Sequence, residues 1–206
     1  QQTTYYTYRI SSGQEIETVW SSMSSKLRNE IKNSYKKTDI RIFHDAEIVY
    51  SMFEKTYKRR NRKPPYDFKF IDKIVNASIE KNQGKVYVAF GEGVALSAIF
   101  VVNDLASSYY LLGGSDYSIK NINANAVLLW HAAKDALDSG RDFDFEGSMN
   151  EGIEHFFRSF GAKQTPYFRI SKLSSRPSDE LKGNIRILYR DVKKIAKSLL
   201  KFSRGK

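Results

Sequence analysis

The chain has 206 residues, of which 41% are hydrophobic and 14% aromatic, and this is enough for one domain with a substantial buried core. Its formal net charge is +11, so its field attracts polyanions such as RNA, anionic lipid head groups or phosphorylated substrates. The absence of cysteine excludes disulfides, thiolate zinc sites and cysteine nucleophiles, and fits a reducing compartment, so we expect a cytoplasmic protein.

The first half of the chain predicts two strands and three helices. A Thr- and Tyr-rich strand covers 3–10, and a strand with alternating apolar residues covers 39–44. Apolar residues recur at helical spacing in three segments, which are 24–37, 46–61 and 67–81. The second helix ends before Pro64-Pro65, since proline cannot continue a helix.

From residue 86 onward the apolar period changes to that of strands. Three runs of β-branched and aromatic residues, 86–90, 94–102 and 108–112, are separated by short polar or Gly-containing turns. This spacing predicts an antiparallel meander. A strong helix follows over 123–139 and ends at Gly140, a residue typical of helix C-termini.

The remaining elements complete a mixed sheet. They are a strand over 142–145, a helix over 151–160, a strand over 166–170 and a basic amphipathic helix over 178–202. We therefore predict an α/β (α+β) fold with a largely antiparallel central sheet flanked by helices. We divide the chain into a domain over 1–175 and a basic C-terminal helical extension over 176–206.

Positive charge is concentrated in two segments. Residues 55–63 contain six basic side chains, and residues 186–206 are similarly basic. Such runs are commonly solvated surface, but they also fit a surface that binds an anion. Both interpretations remain open from the sequence.

Three carboxylates are candidates for proton transfer. Asp142, Asp144 and Glu146 alternate along a predicted strand, where every second side chain shares a face. Because burying all three would be costly, we expect this face to line a cleft, with Glu146 as the preferred base. The alternative is that Asp142 and Asp144 cap helices or pair with Arg or Lys.

Other catalytic motifs are missing from the sequence. His44, His131 and His155 have no partner at metal-ligand spacing, so we predict no metal. No serine-hydrolase elbow, Walker loop or dinucleotide motif occurs, which disfavours hydrolase, NTPase and dinucleotide functions.

Three segments together resemble the FemAB-like branch of the GNAT (Gcn5-related N-acetyltransferase) superfamily. They are 20–36, with its Lys-Leu-Arg and basic helix; 123–147, with a Leu-Trp helix, a Gly cap and DFDFEG; and 152–161, GIEHFFRSFG. The similarity extends over residues 3–172 and matches the second of the two tandem domains that members commonly carry. Where the family often has Lys, this chain has Phe157 followed by Arg158.

The resemblance implies an acyltransferase. It would move an acyl or aminoacyl group from acyl-CoA or aminoacyl-tRNA to an amine, such as a peptidoglycan or glycan precursor, in cell-envelope or polysaccharide biosynthesis. Possible partners are then tRNA and, peripherally, an anionic membrane. The alternative is a catalytically inactive GNAT-like module that binds an anionic partner, either RNA or a phospholipid surface. Residues 118–121 lack the Gly-rich loop usual in coenzyme-A-binding members, and both donors remain open.

The resemblance also implies where the site lies. A strand splayed by a bulge would offer backbone N–H groups to the donor carbonyl, and the next helix would point its N-terminus at phosphate. Tyr109 and Tyr110 point to opposite faces, so one of them can line the cleft as an acid. The expected residues are Glu146, Asp144 and Tyr110 for catalysis; Gly113, Gly114, Ser115, Asn123 and Asn125 for the donor; and Lys26, Arg28 and Arg158 for an acceptor phosphate.

Overall fold

The computed structural model describes residues 2–117, 122–147 and 151–170. Within them the chain forms seven strands and six helices. The strands are β1 (Gln2–Ile10), β2 (Asp39–Phe43), β3 (Gly84–Gly91), β4 (Val94–Asn103), β5 (Ser107–Ser115), β6 (Asp142–Asp144) and β7 (Lys163–Ile170). The helices are α1 (Ile16–Ser22), α2 (Ser25–Tyr35), α3 (Glu47–Arg59), α4 (Phe68–Ile79), α5 (Ala124–Asp138) and α6 (Glu151–Arg158).

The strands form one sheet in the order β2-β3-β4-β5-β6-β1-β7. From β2 to β5, each strand pairs antiparallel with the next strand in the chain, which confirms the predicted meander. Strand β6 pairs parallel with β5 and antiparallel with β1. The parallel pair follows from the chain crossing over through α5, since parallel neighbours need a long connection. The mixed, largely antiparallel α/β fold is therefore confirmed.

The chain divides into two compact units. The larger unit is Tyr5–Tyr167 and contains all the described helices. The smaller unit comprises Gln1–Thr4 and Phe168–Lys206, of which the structure describes 2–4 and 168–170. The predicted C-terminal helix over 178–202 lies outside the described residues.

The sheet of the larger unit is covered on both faces. On one face a continuous apolar cluster joins α1, α2, α5 and α6 to strand residues such as Tyr87, Ile99 and Val101. On the other face α3 contacts β4 and β5, and α4 contacts β3. Trp130 in α5 is only 5% exposed and belongs to this apolar cluster.

Side-chain and glycine caps define the ends of two helices, and the glycine cap is the predicted one. Ser24 accepts a hydrogen bond from the Leu27 amide at 3.3 Å, as the N-cap of α2. Gly140 has φ 69° and follows Ser139, the C-cap of α5, in the left-handed conformation that glycine adopts most readily. Helix α1 was not predicted, because its seven residues are too few to display an apolar period.

Candidate active site where strands β5 and β6 part

Strands β5 and β6 run together for only three residue pairs, the last of which joins Tyr109 to Asp144. Strand β5 continues to Ser115, whereas β6 ends at Asp144. Beyond it Glu146 and Gly147 have φ of 60° and 55°, a left-handed turn that ends the strand. From Tyr110 onward the edge of β5 is therefore no longer paired with β6, and we call this end of pairing the parting of the two strands.

A β-bulge lies at the same point on the opposite edge of β5. In the β4–β5 ladder Phe100 pairs with Leu112 and Val101 with Tyr110, so Leu111 is an extra residue. The bulge places Tyr110 and Gly113 on one face of the sheet although they are three positions apart. A bulge in this strand is part of the arrangement that the resemblance implies.

The amide directions along the end of β5 follow from two hydrogen bonds. The Asp116 amide donates to Leu96 O of β4 at 2.7 Å, whereas the Ser115 amide donates to Thr56 Oγ1 of α3 at 3.0 Å. Successive strand amides point to opposite edges, so the Gly113 amide is directed toward the edge that β6 has left. Gly113 is thus the residue of β5 best placed to donate a hydrogen bond into the gap.

Tyr110 lies beside Gly113 at the parting point. A Cβ atom on Gly113 would lie 2.8 Å from the Tyr110 hydroxyl oxygen, so that hydroxyl lies over the glycine. The ring packs edge-to-face on Phe157, with centroids 6.3 Å apart. Burial, with smaller contributions from Tyr117 and Tyr57, raises the pKa of Tyr110, so its hydroxyl stays protonated and can act as a donor. Tyr109 donates instead to Asp104 at 3.0 Å.

Gly114 and Ser115 have structural partners in α3 and β4. A Cβ atom on Gly114 would lie 2.0 Å from Met52 O, so glycine is required for α3 to approach the sheet. The Ser115 hydroxyl lies 2.9 Å from the Ser97 hydroxyl, and its amide is bound to Thr56. Contacts within the protein thus explain why Gly114 and Ser115 occupy these positions. The Ser115 amide, bound to Thr56, is not available to the carbonyl of an acyl donor.

Asp144 is buried at the parting point, with 8% exposure. It accepts the Thr7 hydroxyl and the Glu146 amide, the latter at 2.8 Å, and Arg9 Nε lies 3.5 Å away. Burial raises the pKa of Asp144, while the hydrogen bonds from Thr7 and Glu146 and the charge of Arg9 oppose that change. The carboxylate therefore stabilises the turn after β6.

Arg9 links this carboxylate to the paired half of β5. Its Nη2 atom lies 3.0 Å from Asp142 Oδ2 and 2.9 Å from Ser107 Oγ. Of the two interpretations of Asp142 and Asp144, pairing with an arginine is the one found, since both pair with Arg9; Asp144 is also buried, so the two do not form an open cleft face. The sequence contained no signal for Arg9, because nothing local connects it to residues more than 130 positions away.

Glu146 is exposed and lies beyond the end of β6. The predicted alternation of three carboxylates along one strand is therefore limited to Asp142 and Asp144. The Glu146 backbone is held by Asp144, which fixes where its side chain begins. Residues 148–150, which follow Gly147, are outside the described part of the chain.

The N-terminus of α5 carries two asparagines with different environments. Asn123 is the N-cap, since its side chain accepts from the Ala126 amide at 3.2 Å and donates to Glu30 Oε2 at 2.8 Å. The Oδ1 atom of Asn125 is buried and has no hydrogen-bond partner among the described residues. Residues 118–121, just before this terminus, belong to the segments that the structure does not describe.

The three expected acceptor-binding cations are differently placed. Arg28 Nη1 donates to Ser21 O at 2.7 Å, near the C-terminal end of α1. Arg158 pairs with Glu154 at 3.2 Å, and Glu154 also accepts the Tyr8 hydroxyl. Lys26 is exposed and forms no ion pair within the described residues. Intramolecular contacts thus account for Arg28 and Arg158 without a ligand.

Within the ranges 2–117, 122–147 and 151–170, no group of three His, Asp or Glu side chains is arranged to hold a metal ion. Among the helices of these ranges none has both the length and the apolar character required to cross a bilayer.

Comparison with known proteins gives one family and several structures. The profile of a family described as an acetyltransferase (GNAT) domain matches residues 21–158. FemX has a similar structure, with a TM-score of 0.70 at 14% identity over 85% of this chain and 63% of FemX. This chain thus spans less than two thirds of the length of FemX. Comparison with curated protein sequences gives no significant match.

Two further structures share the fold. One is the C-terminal domain of a protein assigned as a lysylphosphatidylglycerol synthetase from Agrobacterium fabrum, with TM-score 0.56 and 9% identity over 82% of this chain and 60% of that one. The other is L-PGS from Bacillus licheniformis, with TM-score 0.55 and 10% identity over 94% of this chain and 67% of that one. At such identities the likeness concerns the fold alone.

Proposed function

Because the chain belongs to the acetyltransferase (GNAT) domain family, we propose that it transfers an acyl or aminoacyl group from acyl-CoA or aminoacyl-tRNA to an amine. The observation that carries this proposal is the parting of β5 and β6 after the Tyr109–Asp144 pair. A gap between two strands exposes a backbone edge, and backbone N–H groups at such an edge can stabilise an oxyanion.

The reaction can be assigned to residues around this gap. The donor carbonyl accepts a hydrogen bond from the Gly113 amide, and the amine nitrogen attacks the carbonyl carbon to form the new C–N bond. Glu146 takes the proton that the amine loses. The C–S bond of a thioester or the C–O bond of an aminoacyl ester then breaks, and Tyr110 donates its proton to the leaving sulfur or oxygen.

Asp144 has a positioning role in this proposal. Its lone pairs already accept hydrogen bonds from Thr7 and Glu146, and Arg9 lies beside it, so it is poorly placed to act as the base. By holding the Glu146 amide at 2.8 Å it fixes the turn from which the Glu146 side chain extends. Asn123, the N-cap, and Asn125 lie at the N-terminus of α5, where backbone amides and the helix dipole favour a donor phosphate.

The acceptor is proposed from the fold neighbours. FemX and the lysylphosphatidylglycerol synthetase domain share this fold, and the name of the second refers to an aminoacylated phospholipid. We propose an amine acceptor in cell-envelope biosynthesis, such as a peptidoglycan or glycan precursor, used on the cytoplasmic side. Of the three cations expected to bind an acceptor phosphate, Lys26 is exposed and forms no ion pair within the described residues. In this proposal its ammonium group contacts the phosphate.

A donor assay tests the proposal. The whole chain is incubated with acetyl-CoA or with aminoacyl-tRNA and a panel of amines, and thiol release or tRNA deacylation is followed. We expect Glu146→Gln to reduce turnover by about a hundredfold or more with an unchanged circular dichroism spectrum. The matched control is Glu151→Gln, an exposed glutamate in the first turn of α6, which should retain turnover.

The outcomes separate the possible functions. Full activity of Glu146→Gln would remove this residue from the mechanism. An absence of turnover with both donors, together with retained binding of an anionic partner, would favour the catalytically inactive module instead.

A further inference from the structure

The C-terminal end of α3 carries an unusual concentration of positive charge. Six basic residues occur between positions 55 and 63, and Lys58 to Lys63 are all exposed. Asn61, with φ 51°, turns the chain after the helix, and two prolines at 64 and 65 follow. The basic surface formed by residues 58–63 is therefore a helix end and a short turn rather than one face of a helix.

Carboxylates neutralise only part of this charge. Lys55 pairs with Asp116 at 2.7 Å and Lys58 pairs with Glu54 at 2.9 Å. In the portion of the chain that the structure describes, Arg60, Arg62 and Lys63 have no ion pair. Three neighbouring cations without carboxylate partners repel one another, and an external anion would relieve that repulsion.

The basic surface is joined to the open end of β5. Asp116, the partner of Lys55, directly follows this strand. The Arg59 guanidinium lies 3.6 Å from the ring centroid of Tyr117, which is 50% exposed. A ligand bound along the cations from Lys63 to Arg59 would therefore reach the C-terminal end of β5, in the half of this strand that β6 does not pair with.

Tyr117 contacts Arg59 directly, and further aromatic side chains follow the cations along the chain. Tyr66 stacks on Phe70 with centroids 5.2 Å apart, and Phe68, packed against Tyr50, is 39% exposed. An arginine beside an exposed ring, as in the contact of Arg59 with Tyr117, fits the way proteins hold flexible nucleic acid strands, where guanidinium groups bind phosphate and rings stack with bases.

The composition argues against insertion into a membrane. Residues 58–63 contain only Lys, Arg and Asn, so this turn has no apolar side chain to place among lipid tails. An amphipathic membrane-binding segment combines basic residues with large exposed apolar ones on the other face. The exposed rings of Phe68 and Tyr117 belong to other segments, so the turn itself carries charge only, which fits a phosphate backbone.

We propose that the basic surface of residues 58–63, together with the exposed ring of Tyr117, binds the phosphate backbone of an RNA strand. Arg60, Arg62 and Lys63 supply the phosphate contacts, and Arg59 holds Tyr117 in place for a base. This binding does not require the RNA to carry the transferred acyl group, so it is independent of the proposed reaction.

The test measures RNA affinity with the whole chain. Fluorescence anisotropy with a labelled oligouridylate is recorded for the wild type and for Arg60→Gln/Arg62→Gln/Lys63→Gln at salt concentrations from about 50 to about 200 mM. We expect the triple variant to bind about tenfold to a hundredfold more weakly near 100 mM salt, and its log–log salt slope to be smaller by about 2.

A charge-matched control separates a defined surface from general charge. Lys36→Gln/Lys37→Gln/Lys163→Gln removes the same charge from exposed positions elsewhere and should keep most of the affinity. Equal losses in both variants, or no loss in the first, would overturn the proposal. So would an unchanged RNA affinity combined with lost binding to phosphatidylglycerol vesicles, which would assign the surface to a membrane. Because no acyl donor is present, these results do not depend on whether the chain catalyses transfer.

Discussion

The two halves of strand β5 differ in what holds them. In the first half, Ser108 and Tyr109 pair with β4 on one side and β6 on the other, and Arg9 bridges Ser107 to Asp142. In the second half β6 is absent, a bulge occurs at Leu111, and α3 packs against Gly114 from one face. One half of β5 is thus held by strands on both edges and by Arg9, whereas the other half has one edge without β6.

The difference shows how an open edge can be kept rigid. An unpaired strand edge is normally mobile or prone to pair with other chains. Here the paired half fixes the position of β5, and α3 supports the other half through Gly114 and Thr56. An amide directed into the gap is consequently held in place without the neighbour that would have occupied it. Rigid placement of donors is what stabilisation of a developing charge requires.

The largest effect is expected from Gly114→Ala, which tests the support of the open half. The new Cβ atom would lie 2.0 Å from Met52 O, so α3 must move away from the sheet. We expect the free energy of unfolding to fall by about 3 kcal/mol in urea denaturation. Gly13→Ala is the control, since its nearest neighbour would be 3.8 Å away, and it should change stability by less than about 0.5 kcal/mol. Equal stability of the two variants would show that α3 does not constrain β5.

The paired half is tested by Arg9→Met. Removing the guanidinium leaves the carboxylates of Asp142 and Asp144 without their shared cation, and Asp144 is buried. We expect a loss of about 2 kcal/mol in the free energy of unfolding. Arg41→Met, which breaks the exposed pair with Asp39, should cost about 0.5 kcal/mol or less. If both variants lost the same small amount, the Arg9 network would not anchor β5.

Tyr110→Phe tests chemistry at the boundary between the halves. It removes the hydroxyl over Gly113 and keeps the ring that packs on Phe157. We expect turnover to fall about tenfold at unchanged stability, because the leaving group loses its proton donor. The neighbouring Tyr109→Phe, whose hydroxyl donates to Asp104, should keep its turnover. Similar turnover in both variants would argue against Tyr110 as the acid.

The smallest expected effect is the pH dependence of Asp144→Asn. Because the folded pKa of Asp144 is raised by burial, its contribution to stability is present at low pH and is lost as pH rises through that pKa. The asparagine variant lacks this titration. We therefore expect the stability difference between wild type and variant to shrink by about 1 kcal/mol or less from acidic to neutral pH. A difference that grew with pH would mean that Arg9 and the hydrogen bonds outweigh desolvation.

Much of the fold could be predicted from local patterns. The three strands of the meander and the helix ending at Gly140 were found where apolar periods and a glycine cap predicted them. Helix α1 was missed, since seven residues carry too little periodic signal. The site was only partly predictable: Tyr110 and Gly113 lie together at the gap, whereas Gly114, Ser115, Arg28 and Arg158 have contacts within the protein that need no ligand.

The sequence by itself determined most of the strands and helices, the glycine cap after α5 and the location of basic residues, because these depend on neighbours within a few positions. Only the tertiary structure decided that β6 stops at Asp144, that Leu111 is a bulge and that the Asp144 carboxylate is buried. Those features rest on partners distant in sequence, such as Thr7, which lies 137 positions from Asp144. The length of a strand ladder and the burial of a side chain depend on contacts between residues far apart in the sequence. The apolar period of one segment contains no information about those contacts.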